Sequence, residues 1–143
     1  ALAEAGGDPN LLERDKYDII TIAAVADDAE MVATAVKACG KATNITSIYD
    51  GTALIAAAHE GNWESIDVLI KAGAPLDHVN NLGWTAMIEA VVLGDGGERH
   101  QKSLKLLIDA GADQTIADRN GKTPLDLARE RGYEAMVKML EAG

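Results

Sequence analysis

The sequence contains no phenylalanine, one cysteine, three prolines and only 3% aromatic residues. Each shortage closes off a class of protein. A lone cysteine, Cys39, can form no internal disulfide and cannot build a cysteine-based zinc site. Its surroundings, "VKACGK", read as a helix end in which Cys39 is a small buried apolar residue. No apolar run approaches the roughly 18–20 residues needed to cross a bilayer, so a soluble chain is expected. Basic charge is scarce where nucleic acid would need it. Residues 1–100 hold 16 Asp and Glu against 6 Lys and Arg, whereas residues 101–143 hold 7 of each. An acidic front repels phosphate backbones, and no basic stripe with interleaved aromatics offsets it. A basic surface on a protein partner would complement it.

What is abundant is small or aliphatic. With Ala and Gly common and Phe absent, the core is expected to consist of closely approaching helices filled by Leu, Ile, Val and Met. A length of 143 residues fits one domain with a sizeable core. The first residue is Ala, which implies a processed or trimmed chain, and "ALA" at positions 1–3 has the small-x-small form of a signal-peptidase box. Asn44-Ile45-Thr46 matches an N-glycosylation acceptor, which matters only in a eukaryotic secretory pathway.

The chain repeats itself. "DGTALIAAAHEGNWESIDVLIKAGAPLD" begins at Asp50, "LGWTAMIEAVVLG" at Leu82 is completed by "SLKLLIDAGAD", and "NGKTPLDLARERGYEAMVKMLEAG" begins at Asn120. Threonine recurs at Thr52, Thr85 and Thr123, at intervals of 33 and 38 residues. A glycine follows each threonine after nine residues, at Gly61, Gly94 and Gly132. A closing glycine recurs at Gly40, Gly73, Gly111 and Gly143. Local physics assigns a helix pair to each unit. The Thr hydroxyl can satisfy an orphan amide at a helix start, and Pro is tolerated in the first turn. Leu54 with Ala57 and Ala58, Met87 with Ala90 and Val91, and Leu125 with Ala128 form one apolar face. The middle glycine permits a left-handed reversal. Ile66, Leu69 and Ile70, then Leu104, Leu107 and Ile108, form the inner face of a second helix. No unit can bury its face alone, so neighbours must stack.

A unit of about 33 residues with T-[AP]-[LM]-x-x-A, a middle Gly and a closing "AGA" resembles the ankyrin repeat. The likeness covers roughly residues 17–143 and implies an all-α solenoid of helix-turn-helix units joined by hairpin-like loops. "NITSIYDGTALIAAAHEG", "APLDHVNNLGWTAMIEA" and "LGDGGERHQ" are similar to bacterial ankyrin proteins, many of them secreted or periplasmic. The expected division is a capping segment at 1–16, then units at 17–49, 50–81, 82–119 and 120–143. In the last unit Arg129 replaces Ala58 and Val91 on the stacking face, so "TPLDLARERG" reads as a C-terminal cap. In the first unit Ile19 stands for the Thr and Asp28 for the middle Gly, with a register drift of about one residue.

The long interval places five extra residues, Asp95–Arg99, after Gly94. Their removal aligns His100 with Asn62, the position where ankyrin repeats usually carry His. "GDGGER" is therefore a surface insertion between two helices of one unit and a possible specificity element. It is not a phosphate-binding loop, because no strand precedes it, no Lys-Ser/Thr follows its glycines, and its acidic residues repel phosphate.

The resemblance implies that a partner binds at the hairpin tips and along the concave face of the first helices. Those positions hold Tyr49 and Asp50 at one tip, Asn81, Leu82 and Trp84 at the next, and Arg119, Asn120 and Lys122 at the last. The helix ends add His59 and Glu60, Val92 and Leu93, Glu130 and Arg131, and the insertion adds Asp95, Glu98 and Arg99. Trp84 is the expected anchor, since aromatic residues dominate binding hot spots, with packing on its own hairpin as the alternative. Trp63 reads as packing between units. Glu89, in mid-helix, reads as a surface or groove carboxylate.

The resulting expectation is a monomeric, non-catalytic protein-binding module with no cofactor, no nucleic acid and no membrane insertion. One alternative is a metal-binding or metal-dependent protein in which His59, His100, Asp95 and Glu98 converge on a divalent ion. Another is an immunity-type or accessory protein shielding a dedicated enzyme. Catalysis by Cys39 lacks a nearby His, and no Gly-x-Ser-x-Gly occurs.

Overall fold

The computed structural model describes residues 19–26, 28–39 and 52–143. Among these, the chain forms α1 (Ile19–Val25), α2 (Ala29–Cys39), α3 (Ala53–Glu60), α4 (Trp63–Lys71), α5 (Ala86–Val92), α6 (Glu98–Asp109), α7 (Pro124–Arg131) and α8 (Glu134–Ala142), with no strand. The helices pair as α1/α2, α3/α4, α5/α6 and α7/α8. Odd-numbered helices pack side by side in one layer and even-numbered helices in the other. The expected tip residues Tyr49 and Asp50, the segment 1–16 and the Cys39 side chain lie outside what is described.

The threonines start helices as their chemistry predicts. Thr52 Oγ1 accepts the Ile55 amide at 3.3 Å, Thr85 the Ile88 amide at 3.2 Å and Thr123 the Asp126 amide at 3.3 Å. Asp126 Oδ2 returns a bond to the Thr123 amide, closing a capping box with Pro124 at the first helical position. Such a cap stabilises a helix start by roughly 1 kcal/mol. Behind the caps lies one continuous core. Leu54, Ile66, Leu69, Met87, Ile88, Leu104, Leu107 and Met136 are all fully buried, each contributing roughly 1.5–3 kcal/mol. Ala57, Ala58, Ala90 and Ala128 have no exposed surface, which lets α3, α5 and α7 approach closely.

Two details of register differ from the sequence expectation. In the first unit Asp28 is the counterpart of Asn62, not of Gly61. Its amide bonds to Ala23 O at 3.0 Å as the Asn62 amide bonds to Ala57 O at 2.9 Å, and its carboxylate caps α2 by accepting the Met31 amide. Ile19 therefore heads α1 as Ala53 heads α3, and does not take the threonine's place. The capping ability of Asp fixes this register. The middle glycines also diverge. Gly61 and Gly132 are left-handed, at φ 72° and 71°, but in the third unit the left-handed residue is Gly96. Gly94 is needed for space instead: a Cβ there would fall 2.4 Å from His100 Cγ.

The residue after each turn fastens its unit to the one before. Asn62 Nδ2 donates to Ala24 O at 2.6 Å and Val25 O at 3.2 Å, His100 Nε2 lies 2.9 Å from His59 O, and Tyr133 Oη donates to Gly94 O. Three unlike side chains thus satisfy carbonyls that a helix end would otherwise leave without partners. At the far face Arg129 is exposed and pairs with Glu141 at 2.8 Å, where its counterparts Ala58 and Val91 are buried.

Candidate interaction surface

The hairpin between α4 and α5 is organised around Asn80. Its backbone amide donates to Trp84 O at 3.0 Å, and its Oδ1 accepts the amides of Leu82 and Trp84 at 2.9 and 3.1 Å. These bonds close the turn and hold Leu82 out in solvent, 41% exposed. Trp84 does not stand free. Its half-buried indole packs against the core. The next hairpin repeats the design with Asp118, whose Oδ1 accepts the amides of Asn120 and Lys122 at 2.9 and 3.0 Å. The tips are also tied together. The Arg119 side chain lies over Gly83, where a Cβ would meet its Cγ at 2.7 Å, and its guanidinium donates to Asn81 O. Lys122 donates to Glu130, which holds its ammonium above the usual lysine range.

At their C-terminal ends α3 and α5 carry His59, Glu60, Val92 and Leu93, with Glu89 a turn earlier on α5. His59 is half-exposed, Glu60 is exposed, Val92 is partly covered, and Leu93 is 38% exposed. Of the surface and groove positions its sequence suggested for Glu89, burial excludes the surface one: only 4% of it is exposed. Its Oε1 accepts Asn80 Nδ2 at 2.8 Å and its Oε2 lies 3.5 Å from His59 Nδ1. Burial pushes the Glu89 carboxyl from its ordinary 4.5 up to about 7, with the Asn80 bond opposing the shift. Asn80 was not singled out in the sequence reading. Its signal was available, because Asn80 and Asp118 both stand five residues before a capping threonine.

The insertion is shorter as a loop than the sequence suggested. Glu98 and Arg99 open α6, which runs 12 residues against 9 in α4 and α8, so only residues 93–97 lie between the two helices. That loop is braced. Asp95 Oδ1 accepts the Gly97 amide at 2.8 Å, and Gln101 donates to Gly96 O at 2.8 Å. Gly96 lies against the Tyr133 ring, where a Cβ would come within 2.6 Å. Arg99 turns back to the preceding unit, donating to Asn62 Oδ1 at 2.5 Å and Gly61 O at 3.3 Å. Asp95 and Glu98 remain exposed, and Glu98 pairs with Lys102, whose ammonium lies 4.9 Å above the Trp63 ring. That contact joins α4 to α6 and makes Trp63 the packing residue its position predicts. The stretch "GDGGERH" thus links the second, third and fourth units.

The same geometry removes the basis for a metal site. His100 directs Nε2 to a backbone carbonyl, whereas His59 directs its ring to Glu89 and Glu60. Asp95 Oδ1 is 3.9 Å from His100 Nδ1 and faces no second imidazole. Among the described residues no group of three His, Cys, Asp or Glu could hold an ion. Nor, among them, is any helix long and apolar enough to cross a membrane.

Stacked helix pairs, threonine caps and paired hairpin tips define a repeat protein of the ankyrin class, and residues 20–118 match the family profile for ankyrin repeats (3 copies). The chain belongs to that family. It is 33% identical over 143 residues to the Escherichia coli K12 ankyrin repeat protein YahD, covering 99% of this chain and 71% of the relative. An ankyrin repeat domain from Acinetobacter baumannii AYE superposes with a TM-score of 0.89 at 39% identity, over 99% of this chain and 71% of that one. Another solved ankyrin repeat protein gives a TM-score of 0.90 at 33% identity, over 98% and 71%.

Proposed function

We propose that the chain is a non-catalytic protein-binding module whose partner seats on the tip at residues 80–84 and on the rim formed by His59, Glu60, Val92 and Leu93. The observation that carries this reading is a pair of exposed leucines, Leu82 at the tip and Leu93 at the other end of α5, on a frame braced by Asn80 and packed by the half-buried Trp84. Exposed apolar side chains next to polar rim groups are what a protein contact desolvates first. The frame limits the ordering cost of association, because the tip amides of Leu82 and Trp84 are already bonded to Asn80. Net charge of −10 favours a partner with a basic face. A dedicated enzyme would be shielded through the same surface.

A photo-crosslinking residue at Leu82, compared with one at the exposed Lys105 on α6, tests the assignment. The reading requires a crosslinked protein specific to position 82 and lost on Leu93→Ala without a change in thermal midpoint. Trp84→Ala is expected to weaken binding and also to lower stability by about 1–2 kcal/mol, since part of its indole is packed. Equal crosslinking from both positions would reject the surface.

A further inference from the structure

Glu89 lies between two parts of the proposed binding surface. On one side its Oε2 faces His59 Nδ1 on the rim at 3.5 Å. On the other its Oε1 accepts Asn80 Nδ2, and the same carboxamide accepts the Leu82 and Trp84 amides through Oδ1. Carboxyl, carboxamide and tip amides therefore form one hydrogen-bonded sequence, with the His59 imidazole within ion-pair range at the end of α3. The fourth unit has no equivalent, because Leu127 occupies the place of Glu89 and Asp118 has no N–H to offer.

We propose that a proton on the Glu89 carboxyl regulates this surface, its loss tightening the hold of Asn80 on the hairpin tip and making the rim more anionic. The inference rests on the reading that tip and rim contact the partner. An ionised carboxylate accepts more strongly than a neutral acid, and the bond it draws from Asn80 Nδ2 polarises the carboxamide so that Oδ1 holds the tip amides more strongly. In the neutral state Asn80 bonds to an uncharged oxygen. The carboxyl titrates near neutrality because it is buried.

Other charged groups lie on the elements packed against α5. On α3, Glu60 lies 3.9 Å from His59 Nε2. On the hairpin, Asp77 accepts the Asp113 amide and His78 has a partner of its own. On α6, Glu98 pairs with Lys102, Lys105 with Asp109, and Arg99 with Asn62. On α7, Asp126 bonds to Thr123, Glu130 to Lys122 and Arg129 to Glu141, while Arg131 is exposed.

The test uses the free full chain, so its failure leaves the crosslinking result standing. Backbone amide shifts of Leu82 and Trp84 and the 13C shift of the Glu89 carboxyl are followed by NMR from pH 5.5 to 8.5. One common midpoint near 7 is expected, with the amide titration lost in Glu89→Gln. In His59→Gln the amides should still titrate, with a moved midpoint. Amides that do not respond, or whose midpoint differs from that of the carboxyl, would overturn the proposal. So would an amide titration that survives Glu89→Gln or disappears in His59→Gln. If Glu89→Gln does not fold, coincidence of carboxyl and amide midpoints in the unsubstituted protein decides.

Discussion

The two described hairpin tips share a backbone pattern, and at the residue that closes each turn they differ in one functional group. Asn80 and Asp118 each present an oxygen to two amides further along their turns, at 2.9–3.1 Å at the first tip and 2.9–3.0 Å at the second. For closing the turn, carboxamide and carboxylate are interchangeable. They are not interchangeable towards the helix behind. The spare N–H of Asn80 reaches the buried Glu89, whereas Asp118 has only oxygens and its unit carries Leu127 at the matching helical position. A family turn can therefore be kept while one atom decides whether it is wired to the interior.

That comparison breaks most visibly at Asn80. Asn80→Ala removes the acceptor of two tip amides and the donor to a buried carboxyl, and a loss of about 4 kcal/mol is expected in urea unfolding. Asp118→Ala, at an exposed turn, is expected to cost about 1 kcal/mol. Similar losses at the two tips would show that Glu89 contributes nothing to the difference.

Glu89→Gln comes next in size. Burial raises the folded-state carboxyl to about 7 from 4.5, so the folded chain binds that proton more tightly than the unfolded chain. The resulting stabilisation is full below about 4.5 and is lost as pH rises through about 7. Glutamine keeps an acceptor for Asn80 and carries no charge to desolvate. The variant is therefore expected to gain approaching 3 kcal/mol on the unsubstituted chain at pH 8, with the gain shrinking towards pH 4.5. Paired chemical denaturation across that range measures it, and a pH-independent difference would contradict it. The smallest effect is expected for Asp118→Asn, within about 0.5 kcal/mol, because the new amide keeps an acceptor for both turn amides.

Much of this was legible along the chain. The spacing of Thr52, Thr85 and Thr123 located three helix starts, and the i, i+3, i+4 pattern selected core residues such as Leu54, Met87, Leu104 and Leu107. The alignment of His100 with Asn62 also holds physically, since both fasten a turn to the unit before it. The site was less legible. Arg99 read as an outward contact because its residue type and loop position fit one, yet its guanidinium found backbone and Asn62 acceptors 37 and 38 residues earlier. Glu89 read as a surface or groove carboxylate because helical position alone does not reveal what the neighbouring unit lays over it.

Sequence alone determined the period, the helix pairs and the family, because capping, apolar spacing and turn residues act within a few positions of themselves. Tertiary stacking decided which polar groups became interior. Asn62, Asn80, Glu89 and His100 each bond across units or to a hairpin, over separations of 9 to 41 residues. The desolvation that makes Glu89 a weak acid comes from the packing around it and is written in no local stretch of the chain.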